Sequence, residues 1–337
     1  MANKALTPRL NRMEPNIVID GGHEIWPEGT SRSVTSGAQL YGSVLFRCAN
    51  VSSGITLTNS QQSSIPSGTN IPYSNQVSKT AAGTLAAGTN TNLSYLIEGY
   101  DTNKILNDSF SLIFWVKSSV ASNRSIALLN ASQSHTMIKQ YNIAAANTWQ
   151  LQVVTFSGIS ACPGTIERTN LAGLQIAFTI VAGSTFQTAT TGSWVAGNFR
   201  SGVGEDTTWL TGTTHDFSIA GVMVLPGDWS SLTSNTSAYK FQRSGRNYQE
   251  ELQKSQRYWE GFPNGVSAGI VGYNGTGGAI TASCHFVFKT EKRASPTITV
   301  GTGAVLQVGT FGVVTIQNGI GSGATYNPSQ IYADSRF

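Results

Sequence analysis

Four histidines, His23, His135, His215 and His285, are the first side chains to test for chemistry, and no two of them stand at a metal-binding spacing. An HExxH helix would place two imidazoles one turn apart on one face, and the chain has no such motif. His215 and Asp216 adjoin, but neighbours on a strand point to opposite faces and make poor partners for one site. Cleavage of a glycosidic bond requires two carboxylates roughly 5 to 9.5 Å apart across a sugar cleft. Among the 17 acidic residues the loop pair Glu205 and Asp206 is the best candidate, with simple solvation of a loop as the competing reading. Cys48, Cys162 and Cys284 are far apart and odd in number, so they are expected to be free thiols rather than a disulfide framework or a metal site. The spacings therefore imply no catalytic residue, no metal and no cofactor.

Sugar binding by stacking makes fewer demands, because an aromatic face can dock on the C–H face of a pyranose without acid–base groups. The aromatic residues in polar, turn-rich stretches are Tyr73, Tyr95, Tyr100 beside Asp101, Trp194, Phe199 beside Arg200, Trp209 and Trp229. The stretch 194–210 is favoured, since Trp209 is flanked by glycines there with Arg200, Glu205 and Asp206 nearby. Trp26, Trp115 and Trp149 sit in strand patterns and are assigned to the core.

Positioning these residues falls to a β framework. Charged residues make up only 11 per cent of the 337, while Gly, Ser, Thr and Asn abound, which is the composition of a sandwich with many polar turns. The net charge of +4 is spread without a Lys/Arg run, so nucleic acid is not expected as a partner. No apolar stretch is long enough for a membrane span or a signal peptide, and synthesis in a cytoplasm is expected. Residues 1–15 lack periodicity, contain Pro8 and Pro15 and carry Lys4, Arg9 and Arg12. They read as an arm that docks on a partner. From Asn16 onward short strand patterns recur, at 17–19, 24–26, 42–46, 54–58, 95–98, 110–116, 125–129, 150–156, 173–181 and 216–225. Longer loops are expected at 59–92 and 182–215. One segment, 248–260, reads as an amphipathic helix through Tyr248, Leu252, Tyr258 and Trp259, capped by Asn247 with Glu250 and stopped by Gly261 and Pro263. Strand patterns resume at 267–271, 280–288, 297–300, 305–308 and 311–316. The expected organisation is an arm (1–15), a β-sandwich (16–238), a linking-helix region (239–262) and a smaller β domain (263–337).

Several motifs occur in a particular order. Asn16, Ile19, Gly21, Glu24-Ile-Trp26 and Gly29-Thr30 come first, followed by Phe110 to Ser118 and Thr148-Trp149-Gln150 leading into Val153 to Phe156. Ser193-Trp194, Gly197-Asn198 and Phe217, Ile219, Gly221-Val222 follow, and the series ends with Phe241, Arg243, Glu250 to Leu252, Gln256 to Trp259, Phe286, Phe288-Lys289 and Lys292 to Thr297. In this order over roughly 16–300 the chain resembles the carbohydrate-binding-module-like jelly roll of bacteriophage tail fibres. Ser255 stands where that family commonly has Cys, which implies packing rather than chemistry at this position.

The resemblance implies an all-β chain: a jelly-roll β-sandwich, a short linking α-helix and a smaller C-terminal β domain, assembled as a homotrimer in a virion. The arm with Lys4, Arg9 and Arg12 would join other virion proteins, and the β domains would face a host cell-surface glycan through Trp209, Phe199, Arg200, Glu205, Asp206, Tyr100 and Asp101. Two alternatives remain open, a glycan depolymerase and an architectural head or tail decoration without a ligand. Related jelly rolls often hold calcium through the acid of the early motif and an Asp in the last strand. Glu24 fits the first role, but Ala220 stands in the second, and a hard cation requires several oxygens.

Overall fold

The computed structural model describes residues 16–205, 207–234, 236–262, 280–286, 288–300, 304–307, 314–320 and 331–337. The arm with Lys4, Arg9 and Arg12, Asp206, and the strand expected at 267–271 lie outside the described residues. The chain divides into two compact units, one running to Tyr248 and the other from Gln249.

The strands of the first unit, in chain order, are β1 (Ser31–Val34), β2 (Ala38–Tyr41), β3 (Phe46–Val51), β4 (Leu57–Gln62), β5 (Ser74–Lys79), β6 (Asn90–Glu98), β7 (Phe110–Ser118) and β8 (Ser122–Asn130). Next come β9 (His135–Ile143), β10 (Gln150–Phe156), β11 (Ala172–Ala182), β12 (Gln187–Thr188), β13 (Trp194–Ala196), β14 (Ser201–Gly202) and β15 (His215–Pro226). Short helices α1 (Gly99–Thr102) and α2 (Thr208–Thr211) interrupt them. Two antiparallel sheets result, with strand orders β1-β4-β5-β15-β7-β10 and β13-β9-β8-β11-β6-β3-β2. This is the all-β jelly-roll sandwich that the composition and turn spacing imply.

Alternation along the strands aims one set of side chains between the sheets. Phe114 of β7 meets Tyr141 of β9 and Phe178 of β11 edge-on, at centroid distances of 5.3 and 5.0 Å. Full burial of such a side chain contributes about 1.5–3 kcal/mol. The outward face of the six-stranded sheet is also covered over β7, β10 and β15. Ile113, Leu151, Ala220, Met223 and Leu225 lie under Trp229, Leu232, Tyr239 and Phe241, which the chain brings back across the sheet after β15.

Residues 17–19 and 24–26 are not strands, contrary to the alternation there. Side chains replace a backbone ladder in this segment. Asn16 Nδ2 donates to Val222 O (3.1 Å) and Gln242 O (3.0 Å), and its Oδ1 accepts from Val18 N (3.0 Å) and Val224 N (2.9 Å). Asp20, at φ 56°, accepts from Glu24 N (2.7 Å). Gly21 lies so close to β15 that a Cβ would come within 2.0 Å of Val222 O. The 59–92 stretch is more ordered than its composition suggests. It contains β5, whose mostly polar residues pair with β4 and β15. The stretch 182–215 likewise contains β12, β13, β14 and α2.

In the second unit, helix α3 (Tyr248–Gln256) is shorter than its sequence pattern. Tyr248 is exposed, the buried face carries Glu251 and Ser255, and Trp259 opens a strand instead of continuing the helix. Ser255 Oγ donates to Glu251 O (2.9 Å), which fits a packing position. Strands β16 (Trp259–Phe262), β17 (Ile280–Phe286), β18 (Thr297–Val300), β19 (Ala304–Gln307), β20 (Val314–Ile320) and β21 (Ile331–Asp334) form two three-stranded sheets, β16-β21-β18 and β17-β20-β19. Glu260 and Lys292 are fully buried as an ion pair (2.8 Å), and the Lys292 ammonium lies 4.8 Å from the Phe288 ring centroid.

Asn16→Ala removes four hydrogen bonds and strands buried backbone groups of β15, so it is expected to lower stability by about 3 kcal/mol. The urea unfolding midpoint checks this. A midpoint within error of the parent would show that this tie does not hold the sandwich closed.

Candidate functional site

The outward face of the seven-stranded sheet is built by register. Tyr95 and Leu93 of β6 oppose Ile176 and Phe178 of β11 and point into the sandwich, so Ser94 and Ala177 between them point out. Opposed residues in an antiparallel ladder share a face. One outward row therefore crosses six strands as Tyr41, Arg47, Ser94, Ala177, Ala127 and Ile138. A second row carries Gln39, Ala49, Asn92 and Thr179, and a third carries Leu96, Gln175, Leu129 and Thr136. The face divides in two. Ala127, Leu129, Ile138 and Ala177 form an apolar half with Phe199 packed on it, while the half over β2, β3 and β6 is polar.

The chain from Gly197 to Gly202 crosses this face and is tied to three strands. Gly197 N donates to Ser134 O (2.7 Å), Thr136 Oγ1 of β9 donates to Gly197 O (2.7 Å), Thr179 Oγ1 of β11 donates to Arg200 O (2.6 Å), and Gly202 N donates to Ser125 Oγ of β8 (3.2 Å). Gly197 adopts φ 132°, and a Cβ there would meet the Phe199 ring at 2.4 Å. The crossing sets the Arg200 side chain over the sheet. Its Nη2 donates to Gln133 Oε1 (3.1 Å), and Gln133 Nε2 donates in turn to Gln175 Oε1 (3.1 Å). Arg200 is only 5% exposed, yet its Nε and Nη1 have no hydrogen-bond partner among the described residues. Desolvation, and secondarily the charge of Arg47, lowers its pKa to about 10.

Glu205 lies further along the same face, where Ser125 Oγ and Gln140 Nε2 (3.3 Å) donate to its Oε1. Burial raises its carboxyl pKa to about 7, against the opposing effects of those donors and of nearby Arg124. No acid opposed to Glu205 is described.

The remaining expected ligand residues are placed elsewhere. Trp209 is 0% exposed; its Nε1 donates to Asp216 O (3.0 Å) and the Lys79 ammonium sits 5.6 Å from its ring centroid. A stacking platform must present its face, so Trp209 is a core residue and the sequence reading of it is corrected. Leu210, next to it in α2, is buried with the ring, and glycine-rich flanks do not reveal this. Tyr100 is 59% exposed on α1, where Asp101 pairs with Lys104 (2.6 Å). Phe199 is half-buried as the cover of the apolar half. Glu24 binds Arg243 through both carboxylate oxygens (2.6 and 2.9 Å), which makes it a structural pairing rather than a cation ligand. Among the described residues no group of three His, Cys, Asp or Glu could hold a metal.

The sequence reading missed Arg47, Asn92, Gln133 and Gln175. The strand patterns were ended at Phe46 and begun at Tyr95, short of both Arg47 and Asn92. Carrying the alternation one residue past Phe46 reaches Arg47 and three residues back from Tyr95 reaches Asn92, whereas Gln133 lies between β8 and β9, where no strand pattern marks it.

No family model matches the chain, and no curated protein matches it. Solved structures similar to it include the enzymatically active domain of bacteriophage CBA120 tailspike protein 4, at 16% identity and a TM-score of 0.32, covering 63% of this chain and 21% of that one. TmCBM61 in complex with β-1,4-galactotriose is similar at 9% identity and a TM-score of 0.25, covering 63% and 99%. The N-terminal cellulose-binding domain of Cellulomonas fimi β-1,4-glucanase C is similar at 12% and 0.27, covering 61% and 93%. The matched region thus spans about a fifth of the tailspike chain. Likenesses this loose carry no argument about function, and the site is read from its own geometry.

A carboxyl that holds its proton more tightly in the folded state than in the unfolded chain stabilises the fold most below its unfolded pKa, and that contribution is lost as pH rises. For Glu205 the window runs from the ordinary 4.5 to about 7, a loss on the order of 3 kcal/mol. Glu205→Gln is expected to flatten that part of the stability–pH curve and to be more stable than the parent above pH 7, as chemical denaturation at a series of pH values would show. Parallel curves would contradict the buried assignment.

Proposed function

We propose that this chain is a component of a bacteriophage fibre or spike that binds a host-surface glycan without cleaving it, through the outward face of the seven-stranded sheet. The observation that carries this reading is the polar half of that face. Arg47 and Tyr41 stand half-buried on one outward row, beside the buried Asn92, Ser94 and Gln175 and with Arg200 held over them. Sugars present a dense set of hydroxyl donors and acceptors around an apolar ring face, and such a surface of fixed amides, guanidinium groups and one aromatic residue matches both. The opposite outward face is capped by Trp229, Tyr239 and Phe241 over β7, β10 and β15, and its polar part over β1, β4 and β5, with Thr58 and Gln76, carries no comparable pair of guanidinium groups among the described residues.

The motif order from Asn16 to Thr297 supports the virion setting. The homotrimer rests on the same resemblance, and low charge favours burial against further copies. Residues 1–15 would join the chain to other virion proteins. Cleavage would require a second carboxylate opposite Glu205, and Glu205 itself is held by Ser125 and Gln140.

Purified protein should sediment as a trimer, bind host-surface polysaccharide and release no reducing ends from it. Arg47→Ala and Asn92→Ala should each weaken binding at least about tenfold, the equivalent of one lost polar contact. Tyr100→Ala, away from the face, should leave it unchanged. Binding that survives the first two changes and fails with the third would move the site to α1. A chain lacking residues 1–15 should still fold and oligomerise but fail to join particles.

A further inference from the structure

Two guanidinium groups on this face lack the counter-charge that three other arginines have. Arg32 is paired with Glu28, Arg243 with Glu24 and Arg336 with Asp334. Arg200 and Arg47 form no ion pair among the described residues. Arg200 is nine-tenths buried, with Nε and Nη1 unpartnered, and Arg47 Nε is buried and unpartnered as well. Arg47 opposes Ser94 on β6, and Gln175, which is linked through Gln133 to the Arg200 guanidinium, opposes Leu96 two residues further along that strand. Burying a cation beside another cation costs free energy that neutral amides do not recover, and one hydrogen bond to Gln133 satisfies only one of five donors. An arrangement of this kind is stable against its own repulsion when an anion completes it.

The surroundings narrow the anion. Asn92 Oδ1, in the row next to Arg47, is a buried acceptor with no partner and fits a hydroxyl donor. Gln133 and Gln175 hold the Arg200 guanidinium in a fixed orientation, so its remaining N–H groups form a preset fork. A fork of two N–H donors matches the two oxygens of a carboxylate. Oxyanion and hydroxyl on one small rigid body describe an acidic sugar.

We infer that the glycan bound on this face is acidic, and that a carboxylate-bearing residue of the uronic or sialic acid type is seated between Arg200 and Arg47 with a hydroxyl on Asn92. This deepens the glycan-binding reading and rests on it. The ligand thus neutralises a pair of cations that the protein alone leaves uncompensated, and binding is both salt-dependent and selective.

The test uses the full chain on an array in which each uronic- or sialic-acid glycan is printed beside its carboxyl-reduced, neutral product and beside a sulfated counterpart. At least one acidic member should bind about tenfold or more tightly than its reduced product, as expected for a charge-assisted pair, and added salt should weaken it. Arg47→Gln should abolish that preference without lowering the unfolding temperature, since it removes one of two neighbouring cations. Arg200→Lys, which keeps the charge and loses the fork, should lose most of the preference for carboxylate; both variants are checked for native unfolding before use. Equal binding of acidic and reduced members would overturn the inference while leaving glycan binding intact. Preference for the sulfated member over the carboxylate would overturn the carboxylate assignment. Absence of binding to every member would overturn the glycan reading and this inference together.

Discussion

The structure depends on the burial of one strand. All nine residues of β6 are buried, and it pairs on one side with β3 and on the other with β11. Leu93, Tyr95 and Ile97 must face the sandwich interior, since each opposes a buried apolar residue of β11. Asn92, Ser94 and Leu96 are then forced outward. A slip of one residue would exchange the two sets and place amides in the core, so the same register that stabilises the fold defines the polar face.

The two outward faces of the sandwich are covered by different returning segments. On the six-stranded sheet the chain after β15 returns with Trp229, Tyr239 and Phe241 and seals an apolar surface. On the seven-stranded sheet the returning chain is the Gly197–Gly202 crossing, which is tied to β8, β9 and β11. The side chain it carries to the boundary is Arg200, a residue that is costly to bury without a partner. The cost is borne where the sheet turns from apolar to polar, as expected of a position kept for a ligand and not for packing.

Much of the framework was legible because alternation and turn residues report burial on one face. The strands at 110–118, 122–130, 150–156, 172–182 and 215–226 follow from their apolar positions. β5 was not legible: only Val77 among its residues is a buried apolar side chain, and its place is set by pairing with neighbours on both sides. Residues 16–26 misled in the opposite direction, since Ile17, Val18 and Ile19 are buried as a strand would be while Asn16 and Asp20 supply the hydrogen bonds. At the site, Arg200 and Glu205 were legible as polar residues in a glycine-rich stretch. Trp209 was not, because exposure depends on tertiary cover rather than on local composition. Arg47, Asn92 and Gln175 belong to strands far apart in sequence, and only the register brings them together.

The central claim is that a glycan is held on the outward face between β3 and β11. The most direct measurement is the arginine Nε–H region of the ¹⁵N-correlated NMR spectrum, recorded with and without a saturating acidic oligosaccharide. The account predicts that the Nε–H resonances of Arg47 and Arg200 shift while that of Arg243, paired with Glu24, does not. Shifts confined to the amides around Tyr100, with both arginine resonances unmoved, would contradict it.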